Sequence, residues 1–480
     1  MSKKQQGKIS TLDFFCIGFG AIVGIGWAVY INRWMANSGG PLPAATGYLM
    51  CLVLLVPVAL CYCELVPMMP VAGGGAAFAY AAFGQNVSFI SGWAAFGGFV
   101  LICPWEAIMM SNIISYAFPG LMAGEPLYVL AGEPIFISHF VIGIGMACVL
   151  FFLNWRGIGM AAGAQKLFTL TFMAIGIAAM LFALGKFDPA NLEPIYENVR
   201  NRSHSNFFGG VIAIMVSAPF FLAGFETVPQ AVEDASGKVS SVGKMVVASV
   251  AAACLFYAIA LVSFGGAMPW VNFWNELPFP AAGNLFLNIY QGGLSSALYA
   301  MVIIVALLGL LTTWNGFMLA SPRLLMGMAR ANMIPKIFAV QDPKTGVPRA
   351  GLVATFALSC IGPFLGLGLI DPITEVCAAG FVLSWALTSS SAIRLRITKP
   401  DAERPYKMPG GIATAWFAAI LMWVFFILFF IPGNPAFLGS LTITMFISWM
   451  VIGAVLYLAT GPQRNAIPVE ERAAALFKRK

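Results

Sequence analysis

Long apolar runs, separated by short stretches rich in Gly, Pro or charge, recur along the whole chain. They do not alternate with the period of two that a half-buried strand requires. Each continues for roughly 20 residues or more, the length of a helix that crosses hydrocarbon. The runs fall at 12–34, 44–68, 88–116, 135–155, 162–185, 207–232, 244–268, 291–320, 350–370, 373–395, 412–431 and 438–460. They predict an all-α membrane protein with about twelve transmembrane helices. The ninth and tenth runs are divided only by Asp371-Pro372. The longest polar stretches, 321–349 and 396–411, are too short for a soluble domain, and 321–349 is expected to hold a short amphipathic helix along the membrane surface.

Composition agrees. Apolar residues make up 60% of the 480 and charged residues only 9%, against about a quarter charged in soluble domains. A membrane β-barrel would show short alternating segments rather than continuous runs. The nine cysteines lie almost entirely inside apolar runs, and Cys61 and Cys63 lack a second pair at zinc spacing, so buried thiols are expected and no cofactor or certain metal. The basic N-terminus leads into an apolar run without an Ala-x-Ala-like site, so no cleaved leader is expected. Charge gives orientation. Of the 26 Lys and Arg residues, only Arg33, Lys186, Arg200 and Arg202 fall on the side opposite the N-terminus. Basic loops stay in the cytoplasm. Both termini (1–11 and 461–480) are therefore expected inside, in a cytoplasmic membrane, with lipid rather than nucleic acid around the chain.

Two runs look interrupted. Gly18-Phe19-Gly20-Ala21-Ile22-Val23-Gly24-Ile25-Gly26 places four glycines in the first span. Ser217-Ala218-Pro219-Phe220-Phe221-Leu222-Ala223-Gly224 places a proline in the sixth, where it removes a backbone donor. Broken helices at matching positions of two repeats mark the binding site of many secondary transporters, and a five-span offset suits two inverted five-helix repeats, 12–185 and 207–395, followed by two further helices at 412–460. Small residues that merely let helices pack closely are the alternative.

At these residues the chain resembles the amino acid–polyamine–organocation superfamily of permeases. Gly20-Ala21-Ile22-Val23-Gly24-Ile25-Gly26 is similar to that family's G-A-I-x-G-S-G. Tyr62-Cys63-Glu64-Leu65 with Pro70-Val71-Ala72-Gly73-Gly74-Gly75 resembles Y-x-E-L and P-x-S-G-G. Phe220-Phe221-Leu222-Ala223-Gly224-Phe225-Glu226 resembles F-F-x-x-G-F-E, and Arg404-Pro405-Tyr406 resembles R-P-F/Y. Ser321-Pro322-Arg323, Met328-Ala329-Arg330 and Pro335 follow the eighth span in the family's order. The resemblance implies a leucine-transporter-like fold with substrate held between spans 1, 3, 6, 8 and 10. It implies that the amides of Gly24, Ile25 and Gly26 face a substrate carboxylate, as helix N-termini do. Carbonyls of Ile22 and Phe220, with Leu222 and Gly224 nearby, would receive an ammonium group, and Phe220 would be an aromatic gate. Three departures stand out: Ile25 in place of a hydroxyl residue, Trp27 in place of a smaller one and expected to narrow the pocket, and Phe172 where some members carry a coupling lysine.

Carboxylates deep in spans are functional candidates, because burial is costly. Glu64 reads as structural. Glu226 follows the second break and either braces it or carries a proton. Glu106, in Pro104-Trp105-Glu106 of the pocket-lining third span, has no Lys or Arg at its depth, so it is neutral or meets the positive group of an amine substrate. Thr312, Thr313 and Asn315 either bond helices together or complete a sodium site with span 1 carbonyls. His139 and His204 fall near the outer surface, without catalytic or metal-ligand spacing. The expected function is a permease or exchanger for an amino acid or small organic amine, not an enzyme, coupled to a proton or sodium. A polyamine or alkanolamine carrier is the alternative, and a channel the alternative of another class.

Overall fold

The computed structural model describes residues 9–477, except 123, 201–203, 237–238, 278–279 and 435, and only the backbone of 216 and 217. Lys3, Lys4, Lys8, Arg202, Lys238, Lys478, Arg479 and Lys480, used in the charge argument, lie outside the described residues, as does the side chain of Ser217.

Helices occupy each of the twelve segments. In chain order they are α1 (Thr11–Ile22), α2 (Gly26–Val29), α3 (Ile31–Ser38), α4 (Pro41–Met68), α5 (Gly74–Phe83), α6 (Gln85–Ala117), α7 (Ile137–Trp155), α8 (Ile158–Leu184), α9 (Phe207–Leu222), α10 (Thr227–Gln230) and α11 (Val239–Gly265). There follow α12 (Trp270–Glu276), α13 (Ala281–Ile289), α14 (Gly292–Arg330), α15 (Arg349–Ser359), α16 (Gly362–Leu365), α17 (Ile370–Thr398), α18 (Ile412–Leu428), α19 (Ser440–Ala459), α20 (Gly461–Asn465) and α21 (Val469–Phe477). A small antiparallel hairpin, β1 (Tyr128–Leu130) with β2 (Glu133–Ile135), joins α6 to α7. Among the described residues eight helices are long and apolar enough to cross a membrane, with shorter apolar helices beside them. The chain is a multi-pass helical membrane protein. Its flanks carry exposed Leu, Ile, Val and Phe on α7, α8, α18 and α19, the outward apolar face that lipid solvates.

The structure corrects the expectation for 321–349. Span 8 does not stop at 320. α14 runs 39 residues, about 58 Å at 1.5 Å per residue, and its last turns are buried rather than amphipathic, including Ser321, Pro322 and Arg323. Pro322 lies inside α14, and Gly351 of α15 approaches it so closely that a Cβ there would stand 2.9 Å from the Pro322 Cα. The Gly/Ala-rich stretch after α4, which falls in none of the twelve apolar runs, forms the buried α5.

The end of the bundle that carries most of the basic residues is pinned by ion pairs. Arg330 holds Glu233 through Nη1 at 2.5 Å and Nη2 at 3.1 Å. Glu233 also accepts the Ala72 N–H at 2.8 Å, and Gln230 accepts that of Gly73 at 3.0 Å. The segment before α1 joins the same cluster: Ile9 donates its N–H to the Asp234 carbonyl at 3.2 Å and accepts that of Ser236 at 2.9 Å. These contacts close that end across α10, α14 and the α4–α5 turn.

Candidate functional site

Both expected breaks are present, and they touch. The first unwinds Val23, Gly24 and Ile25 between α1 and α2, the later half of the glycine-rich segment. The amides of Ile25, Gly26 and Trp27 have no backbone partner among the described residues, as expected of the first turn of a helix. The second break is corrected in position. Pro219 lies inside α9, and the chain unwinds four residues later at Ala223, Gly224 and Phe225. The reason is Gly224. Its φ is +132°, and a Cβ there would stand 2.6 Å from the Ala21 carbonyl carbon. Only a glycine permits that backbone shape and that approach of one break to the other.

A narrow cavity sits between the breaks. Ile22, Gly24, Ile25, Gly26, Trp105, Glu106 and Phe220 line it. Thr313, Tyr257 and Phe317 complete it. Leu222 and Gly224 do not reach it; Gly224 is committed to the junction of the two breaks, and Leu222 is buried at the end of α9. Trp27 does not narrow it either. Its ring lies outside the lining and packs against Phe172, Phe256 and Phe264. The Phe172 ring fills the space beside the Gly24–Gly309 contact, where a Cβ on Gly309 would meet it at 3.0 Å.

One wall is aromatic. Trp105 and Phe220 lie with ring centroids 5.4 Å apart, and the Trp105 indole donates to Thr374 Oγ1 of α17 at 3.0 Å. The room inside is small: a water-sized sphere fits its centre over about 30 Å³, space for about two waters. Glu106 is 3% exposed and its Oε2 has no partner among the described residues. Among the described residues no Lys or Arg lines the cavity.

Tyr257 of α11 escaped the sequence reading. Its hydroxyl donates toward the Ile22 carbonyl at 3.1 Å and the Phe221 carbonyl at 3.3 Å, so one group bridges both breaks. A mid-span tyrosine whose hydroxyl must find a partner was the available signal. Tyr257→Phe should lower stability by about 1 kcal/mol and slow uptake, because the carbonyls lose their shared donor. Thermal melting and initial uptake rates check it, and a variant equal to the parent in both would refute the bridging role.

Of the remaining candidates Thr313 lines the cavity, whereas Glu226, Thr312 and Asn315 lie around it. Glu226 is buried beside the second break and accepts the Gly224 N–H at 3.1 Å through Oε2. Its Oε1 and the indole N–H of Trp385 have no hydrogen-bond partner among the described residues. Thr312 Oγ1 donates to the Gly309 carbonyl of its own helix at 2.8 Å, and Thr313 Oγ1 to the Gly20 carbonyl at 3.4 Å, so the two hydroxyls serve different carbonyls. Asn315 accepts from Asn154 at 2.9 Å and donates to Gln165 at 2.8 Å. Gln165 in turn donates to the Thr312 carbonyl at 2.9 Å. That network ties α7, α8 and α14 together, as polar side chains do within bilayers. Glu375, unnoticed in the sequence, accepts from Thr442 of α19 at 2.6 Å.

A helical bundle that holds a small buried cavity between two adjoining helix breaks is the architecture of a secondary transporter. Residues 9–455 match the amino acid permease family, and the chain belongs to that family. It is similar to the aspartate-proton symporter of Bacillus subtilis (strain 168), 24% identical over 85% of this chain and 77% of the relative. It is also similar to the branched-chain amino acid permease BcaP of the same organism, 23% identical over 95% and 93%. The methylthioribose transporter of that organism is 22% identical over 95% and 94%.

Proposed function

We propose that the chain carries an amino acid or small organic amine across the cytoplasmic membrane by alternating access, with both termini cytoplasmic and the two repeats 12–185 and 207–395 moving against each other. The observation that carries this reading is the pairing of unbonded amides at Ile25 and Gly26 with the unbonded Glu106 carboxylate across one cavity. The amides suit an anionic group and the carboxylate a cationic one. Relatives are named for substrates as different as aspartate and methylthioribose, so the lining of this cavity is the guide to its cargo. Glu106 favours a cargo with a positive group. Room for two waters favours a carrier that closes around its substrate over a channel with a continuous polar path.

Coupling is assigned to a proton on Glu226. A buried carboxylate is costly when charged; Glu226, unlike Glu106, does not line the cavity, so a proton rather than a substrate cation removes that cost. Thr312 and Thr313, each bonded to a different carbonyl, support sodium less well. Uptake into proteoliposomes tests both parts. An inward proton gradient should raise the uptake of a cationic or zwitterionic amine several-fold over collapsed gradients, and a sodium gradient should not. Stimulation by sodium alone would overturn the assignment to Glu226.

A further inference from the structure

A second concavity lies on the lipid-facing flank between α17 and α18, away from the substrate cavity. Ser390, Ile393, Arg394 and Ile397 line it from α17, spaced by three and four residues and so on one stripe of the helix. Trp416, Ile420, Trp423 and Ile427 line it from α18 with the same spacing. A water-sized sphere fits its centre over about 440 Å³ here. The floor is held, since the Trp423 indole donates to Ser390 Oγ at 3.1 Å. The rim is open: Trp416 is 50% exposed and Ile427 53%.

The polarity of this groove is one-sided. Arg394 is its single charged lining residue, is exposed, and forms no ion pair among the described residues. Arg394 lies about one turn before α17 ends at Thr398, and Trp416 about one turn after α18 begins at Ile412. Both therefore stand at the level of the basic loop between the two helices. From Trp416 to Ile427 the groove descends eleven residues, about 16 Å, which is about half of a 30 Å hydrocarbon core. Guanidinium at the interface, indole at headgroup depth and an apolar trough one leaflet deep match the three parts of a phospholipid.

We infer that this groove is a binding site for one phospholipid with an anionic headgroup, its phosphate on Arg394 and an acyl chain along Ile420 and Ile427. Charge complementarity selects the headgroup, because among the described residues no carboxylate lines the groove to repel it. Tryptophan quenching tests this in the full chain, reconstituted in vesicles containing either dibrominated phosphatidylglycerol or dibrominated phosphatidylcholine. One basic side chain at an anionic surface corresponds to a preference of about fivefold, so phosphatidylglycerol should occupy the quenching site about fivefold more tightly. Arg394→Gln should reduce the preference to about one, whereas Arg394→Lys should keep most of it and shows that the fold tolerates change there. Trp416→Phe with Trp423→Phe should remove the headgroup-dependent part of the signal. Equal quenching by the two lipids, a preference that survives Arg394→Gln, or one that survives loss of both indoles would overturn the assignment.

Discussion

Glu106→Gln is expected to abolish transport of cationic substrates or to change the charge selectivity of the protein, while leaving the fold at least as stable as the parent. The carboxylate is buried, and among the described residues its Oε2 is unbonded and no cation lines the cavity. An amide of nearly the same shape removes a group that is costly to bury, so melting should be unchanged or rise. Binding responds oppositely. Removing one partner of a buried charge pair costs about 2–5 kcal/mol, which weakens substrate by about 30-fold or more. Few substitutions separate function from stability so cleanly, because most core changes lower both. Initial uptake across a panel of cationic, zwitterionic and neutral substrates, with melting curves on the same preparations, checks both halves. Unaltered uptake across the panel would remove Glu106 from the substrate site.

The contrast between Glu106 and its neighbours shows what the chain reveals without coordinates. Continuous apolar runs locate the spans because hydrocarbon demands them of any helix that crosses it. The first break was legible because four glycines in nine residues mark a weak helix. The second was misplaced because a proline is the loudest helix breaker in a sequence, yet within a bundle it can be housed inside a helix, as Pro219 is. What unwinds the chain is Gly224, a glycine required by contact with Ala21, and contact between spans two hundred residues apart leaves no local trace. Trp27 was misjudged for a related reason: its ring packs against Phe172, Phe256 and Phe264 of distant spans. Tyr257 and Glu375 were passed over because a hydroxyl or carboxylate within an apolar run gives no sign of which helix it faces. α5 was missed because a Gly/Ala-rich stretch after a Gly-rich turn looks like loop, and burial against α6 and α17 makes it a helix.

The second large effect is structural. Glu64 is 1% exposed and joins three parts of the chain. Arg396 at the end of α17 grips it through Nε at 3.0 Å and Nη2 at 2.5 Å. Arg404 approaches with Nε at 3.4 Å, and the Met408 N–H donates to it at 2.9 Å. Glu64→Gln keeps the shape but leaves two guanidinium groups facing a neutral amide. Breaking a buried ion pair by removing one partner costs about 3–5 kcal/mol, so melting should fall steeply, with the α17–α18 connection loosening first. Substrate affinity measured below the melting range should hardly move, since Glu64 does not line the cavity. That is the reverse of the pattern expected for Glu106. Replacing Glu64 and Arg396 together by Met should recover part of the loss, because the uncompensated charge goes with its partner. A Glu64→Gln protein that melts within about 1 kcal/mol of the parent, the range of an exposed pair, would mean that water reaches this cluster and that the R-P-Y loop is held by something else. The two carboxylates thus divide the work that burial makes possible: Glu64 is fully bonded and holds helices, and Glu106 is left unbonded where a substrate can complete it.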